Sequence, residues 1–91
     1  MTTMATLPPE AAQAIAKTLE EHNLLDQFGV HQIHSHFPVD PDELMHEIND
    51  PQGRITITRP IKTDELPASA RPTAWRFDAS GTTHVEQWCC D

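Results

Sequence analysis

Residues 43–59 read Glu43-Leu44-Met45-His46-Glu47-Ile48-Asn49-Asp50-Pro51-Gln52-Gly53-Arg54-Ile55-Thr56-Ile57-Thr58-Arg59. From Arg54 to Arg59, isoleucine alternates with threonine, the period of a strand with one apolar face, and every interior residue is β-branched. Asn49-Asp50-Pro51-Gln52-Gly53 concentrates the residues that favour turns. Ahead of it, Leu44, His46 and Ile48 fall on one face of a second strand, although the same six residues also suit a short helix. Two strands around a tight turn predict a hairpin.

Downstream, Pro60 to Pro72 holds three prolines and no periodicity, which predicts a long loop over 60–72. Thr73–Phe77, the turn Asp78-Ala79-Ser80-Gly81 and Thr82–Cys89 then predict a second hairpin. Upstream, Pro8-Pro9-Glu10 leads into an alanine-rich run to His22. Proline is tolerated in a first turn, an acid suits the positive end of the helix dipole, and Thr6 is the expected cap. The apolar stripe of this helix is Ala12, Ile15, Ala16 and Leu19, with His22 at its C-terminal end and Asn23 as a left-handed terminator. Val30–Phe37 carries β-branched and aromatic residues up to Pro38 and predicts one more strand. The expected fold is α+β: an N-terminal helix packed on a small antiparallel sheet of four to six strands, one domain over 1–91 with residues 1–6 flexible.

Fourteen Asp and Glu against six Lys and Arg give −8, and residues 1–50 hold nine of the acids with Lys17 as their one cation. An acidic field repels phosphate, so the composition argues against nucleic acid and anionic membranes and favours a basic protein partner or a metal. No apolar run reaches the length of a bilayer span, and the first residues lack the basic and apolar parts of a signal peptide, so a cytoplasmic location is expected. Cys89 and Cys90 are adjacent at the end of the given chain, cannot staple distant segments, and are expected as reduced thiols.

Histidine is the compositional outlier, with six residues: His22, His31, His34, His36, His46 and His84. On a strand His34 and His36 project from one face about 6.5–7 Å apart at Cα, close enough to share an ion. In the last strand His84, Glu86, Trp88 and Cys90 share a face, opposite Val85 and Cys89. These spacings nominate His34, His36, His84 and Cys90 as ligands of Zn(II) or another transition metal. His31 and His46 sit among apolar neighbours and read as structural. Adjacent cysteines in a strand point to opposite faces and do not chelate as C-x-x-C does. The serines lack a nucleophile elbow, three scattered glycines cannot cradle phosphate, and H-E-x-x-H is missing, so the chain reads as a binding module more than an enzyme. Asp40-Pro41-Asp42-Glu43 lacks the glycine and spacing of a calcium loop and reads as a solvated turn. The alternative is an acidic interaction module of the immunity, antitoxin or small-subunit kind, docking a basic partner through Trp75 or Trp88.

The run Phe28-Gly29-Val30-His31-Gln32-Ile33-His34-Ser35-His36-Phe37, followed by Asp42-Glu43 and Trp75-Arg76-Phe77, resembles short microbial proteins built around an F-G-x4-H-x-H-F strand. The resemblance spans residues 24–88 and draws attention to His34 and His36, but implies no activity.

Overall fold

A computed structural model describes residues 6–91, so the expected flexible start lies, apart from Thr6, outside the described residues. Two compact units divide the chain, Met1–Gln32 and Ile33–Asp91. The first unit contains helix α1, Pro9–Glu21. Pro8, in an extended conformation, is its N-cap and no side chain caps it, so the expected cap at Thr6 does not form. Proline at the first helical position costs no hydrogen bond, because that N–H would have no partner in any helix. Ala12, Ile15 and Leu19 are half-buried, whereas Ala16 is exposed. His22 is the C-cap and Asn23 follows at φ 59°, the left-handed turn its short amide side chain tolerates. One further turn closes through the Phe28 N–H on the Leu24 carbonyl at 3.0 Å.

The second unit contains four strands: β1 (Glu43–Asp50), β2 (Ile55–Lys62), β3 (Arg71–Phe77) and β4 (Thr83–Cys89). Both expected hairpins form, β1 with β2 and β3 with β4. The strand expected over 30–37 does not: residues 28–40 have no helix or strand. A strand is completed by a ladder partner, and this segment pairs with no strand among the described residues, whatever its propensity. The expected loop over 60–72 is also shorter. β2 continues through Pro60 to Lys62, a 3-10 turn occupies Thr63–Glu65, and β3 begins at Arg71. Pro60 is admissible because β2 is an edge strand, where a missing N–H can face away from the ladder.

The strand order is β2-β1-β4-β3. The outer pairs are antiparallel, but β1 and β4 run parallel, Met45 opposite Gln87, His46 opposite Trp88 and Glu47 opposite Cys89. The sheet is therefore mixed rather than wholly antiparallel, within an α+β arrangement of one helix and four strands among the described residues. Register sorts its faces. Leu44, His46, Ile48, Ile57, Ile61 and Trp88 lie on one; Met45, Glu47, Asn49, Thr56, Gln87 and Cys89 lie on the other. The two side chains classed as buried among the described residues are His46 and Cys89, one on each face of the central pair.

Candidate functional site

β1 carries His46 and Glu47 to opposite faces of the sheet because successive strand residues alternate. Parallel pairing with β4 then puts Glu47 against Cys89, and a chain of polar contacts runs along that face. The Gln87 amide donates to Glu47 Oε1 at 3.0 Å, Glu47 Oε2 lies 3.3 Å from Cys89 Sγ, and the Asn49 amide points at Cys90 Sγ at 3.3 Å. Thr56 Oγ1 donates to Asn49 Oδ1 at 3.3 Å and holds that amide from β2. On the opposite face, His46 Nε2 lies 2.8 Å from the Cys90 carbonyl oxygen. A carbonyl only accepts, so the ring proton sits on Nε2. This bond ties the residue after β4 to β1.

The Cys89 and Cys90 sulfurs lie in contact with each other. β4 ends at Cys89, so the alternation that would send Cys90 to the other face no longer binds it. The ligand atoms of Glu47, Cys89 and Cys90 lie within 4.8 Å of one another, the one group of three or more such residues found among the described residues. Reduced, the group offers two sulfurs and a carboxylate oxygen, a donor set able to hold a metal ion. Tetrahedral zinc, with Zn–S near 2.3 Å and Zn–O near 2.0–2.2 Å, places its ligand atoms roughly 3.5–3.8 Å apart. The Glu47–Cys89 approach is close to that.

The other nominated ligands are placed apart from this group. His34 and His36 lie in the irregular segment, their rings edge to face with centroids 5.1 Å apart. His84 Nε2 donates to Asp78 Oδ2 at 2.8 Å. That contact, with Ser80 Oγ and the Thr82 and Ser80 N–H groups on Oδ1, holds the Asp78 carboxyl well below the usual carboxylate range. At the open end of the first hairpin Lys62 pairs with Asp42 at 2.9 Å, which lowers the Asp42 carboxyl and raises the lysine. Asp40, Pro41 and Asp42 are thus exposed, with a turn at Pro41 and Asp42, while Glu43 is half-buried and opens β1. Of the residues nominated from the sequence, Cys90 falls in this group; Glu47 and Cys89 were not nominated. Parity along β1 and β4 separates Glu47 from His46 and Cys89 from His84, yet nothing local shows that those two strands are neighbours.

Comparison with family models, curated proteins and solved structures finds no match to this chain. No helix among the described residues is long and apolar enough to cross a membrane.

Proposed function

We propose that the chain is a small metal-binding module that holds a divalent thiophilic ion, Zn(II) first, between Glu47, Cys89 and Cys90. The convergence of these three ligand atoms within 4.8 Å supports this reading. With both cysteines reduced and ionised, two thiolates and a carboxylate gathered here repel one another, and a dication between them relieves the repulsion. Zinc also prefers sulfur and accepts oxygen in the same shell. Asn49, Gln87 and His46 orient the ligands without joining them, the role that outer partners play around metal sites.

The test is elemental analysis of untagged protein purified under reducing conditions. The wild-type chain is expected to hold about one equivalent of zinc, Cys89→Ser/Cys90→Ser to lose it, and Glu47→Gln to bind at least about tenfold more weakly. The His34→Ala/His36→Ala variant decides between this site and the histidines. If that variant loses the metal and the cysteine variant keeps it, the ion belongs with His34, His36 and His84. Protein without metal in every form ends the reading. A second reading, the interaction module, is favoured by Trp75, Phe77 and Val85, which share one face of the second hairpin and are 38%, 70% and 40% exposed. Salt-sensitive binding of a basic protein partner by the metal-free chain, lost in Trp75→Ser, would support it.

A further inference from the structure

β2 leaves one side of its ladder open. The strand order puts it at the edge of the sheet, and no strand among the described residues pairs with its outer side. In an antiparallel pair every second residue turns both its N–H and its C=O away from the partner, so an edge strand presents a row of unmet donors and acceptors. The two edges of this sheet differ. β3 is interrupted by Pro72 and by register shifts between Pro72 and Trp75, irregularities that bend an edge away from further pairing. β2 pairs with β1 without a shift along its whole length, and its guards against pairing, Pro60 and Lys62, stand at its C-terminal end. From Ile55 to Arg59 every residue is exposed, and Ile55 and Ile57, at 53% and 51%, lie on the face that they share with Arg59. We infer that this edge is a docking site for an acidic, extended peptide segment of another protein, which adds to β2 as a further strand of the sheet.

Charge selects the occupant. Arg54 stands just before Ile55 and Arg59 just after Thr58, so a guanidinium lies at each end of the open stretch. The chain has fourteen Asp and Glu, yet neither arginine forms an ion pair among the described residues, and the register sets His46 rather than an acid opposite Arg59. Lys62 differs, because Asp42 neutralises it. Asp50, the acid opposite Ile55, accepts the Gly53 N–H and lies on the β1 side, away from the open edge. A second copy of this chain fits poorly. Antiparallel pairing of β2 with itself carries each Arg59 towards the other copy's Arg54, and Ile55–Arg59 is far shorter than the roughly 20–30 residues a side of a stable interface. The same charges that repel a copy attract an acid. An antiparallel strand matched to this edge sets an acid opposite Arg59, apolar side chains opposite Ile57 and Ile55, and a second acid beside Arg54. Its sequence therefore reads acid-x-apolar-x-apolar-acid, with β-branched residues suiting the apolar positions. Main-chain bonds supply affinity and the alternate side chains supply selection. More distant acids of the chain do not cancel this attraction, because charges over about 8–10 Å apart are largely screened at physiological salt. The site lies on the opposite edge from β3 and Trp75, and takes the opposite charge from the partner expected on composition.

The wild-type chain tests this with a dye-labelled hexapeptide, ETVTVE, read by fluorescence anisotropy. It should bind, and the basic counterpart KTVTVK should bind at least about tenfold more weakly. Arg54→Gln/Arg59→Gln should weaken the acidic peptide by about three- to tenfold. Arg54→Glu/Arg59→Glu should reverse the preference between the two peptides, an outcome that an unfolded variant cannot give. N-methylation of alternate peptide amides should abolish binding in one of its two phases, the one that removes the donors facing β2, and it leaves the protein untouched. In NMR the amides of residues 55–59 should shift on titration and those of β3 should not. Equal binding of the two peptides, binding that survives both phases of N-methylation, or shifts confined to β3 overturns the proposal. So does a chain already dimeric through β2 without peptide, because the second copy is then the occupant. Failure of the acidic peptide to bind at about millimolar concentration overturns it too.

Discussion

His46 is a polar side chain at the centre of a sheet, 5% exposed, and its ring N–H is satisfied by the Cys90 carbonyl. Removing it costs twice, through lost packing and through an acceptor left unpaired. His46→Ala is expected to lower stability by about 2–4 kcal/mol in urea denaturation. On the proposed metal site it should also weaken zinc binding, because the backbone at residue 90 is released. Arg54 shows the opposite situation. The Ile–Thr alternation suggested that it opens a strand, but it sits in the turn at φ 57°, and β2 begins at Ile55. Glycine carries no Cβ penalty there, so Arg54→Gly should stabilise the hairpin by about 0.5–1 kcal/mol, read from its thermal midpoint. Gly53 next to it has the reverse preference. A Cβ would come within 2.5 Å of Asp50 Oδ2, the side chain whose Oδ1 accepts the Gly53 N–H, so Gly53→Ala should destabilise.

Among the elements, the turn between β3 and β4 depends most on charge. Asp78 gathers His84, Ser80 and Thr82, and its folded carboxyl titrates below its unfolded value of about 3.9. A depressed carboxylate stabilises above the unfolded pKa. As pH falls past that point the unfolded chain takes up a proton that the folded chain does not, and the contribution fades. Asp78→Asn should therefore lower the melting temperature at pH 7, and the gap from wild type should narrow as pH is taken below 4. A gap independent of pH would mean that the amide replaces the carboxylate in full. The expected strand at 30–37 shows the limit of element-level reading: its composition favours extension, but composition cannot supply a partner edge.

At the scale of the molecule, the parallel contact between β1 and β4 joins two local hairpins into one sheet and creates the Glu47–Cys89–Cys90 group. The central strands have ladder bonds on both sides, whereas β2 and β3 are edges. Hydrogen exchange should accordingly be slowest for amides of β1 and β4 near residues 45–47 and 87–89, and faster along the outer edges of β2 and β3. Protection confined to the two hairpin turns, with β1 and β4 exchanging like edges, would contradict the parallel pairing.

Local pattern in the sequence determined the helix, its left-handed end at Asn23, both hairpins, and the side of each strand on which a residue lies. These depend on backbone propensity, turn chemistry and a period of two, all read within a dozen residues. Only the tertiary structure decided that Glu47 faces Cys89, that residues 30–37 stay out of the sheet, and that Cys90 escapes strand alternation. The first joins positions 42 residues apart through a parallel pairing that leaves no spacing signal. The second reflects that a propensity for extension does not by itself form a ladder. The third follows from where a ladder stops, because a side chain is bound to alternate only while its backbone is paired on the sheet.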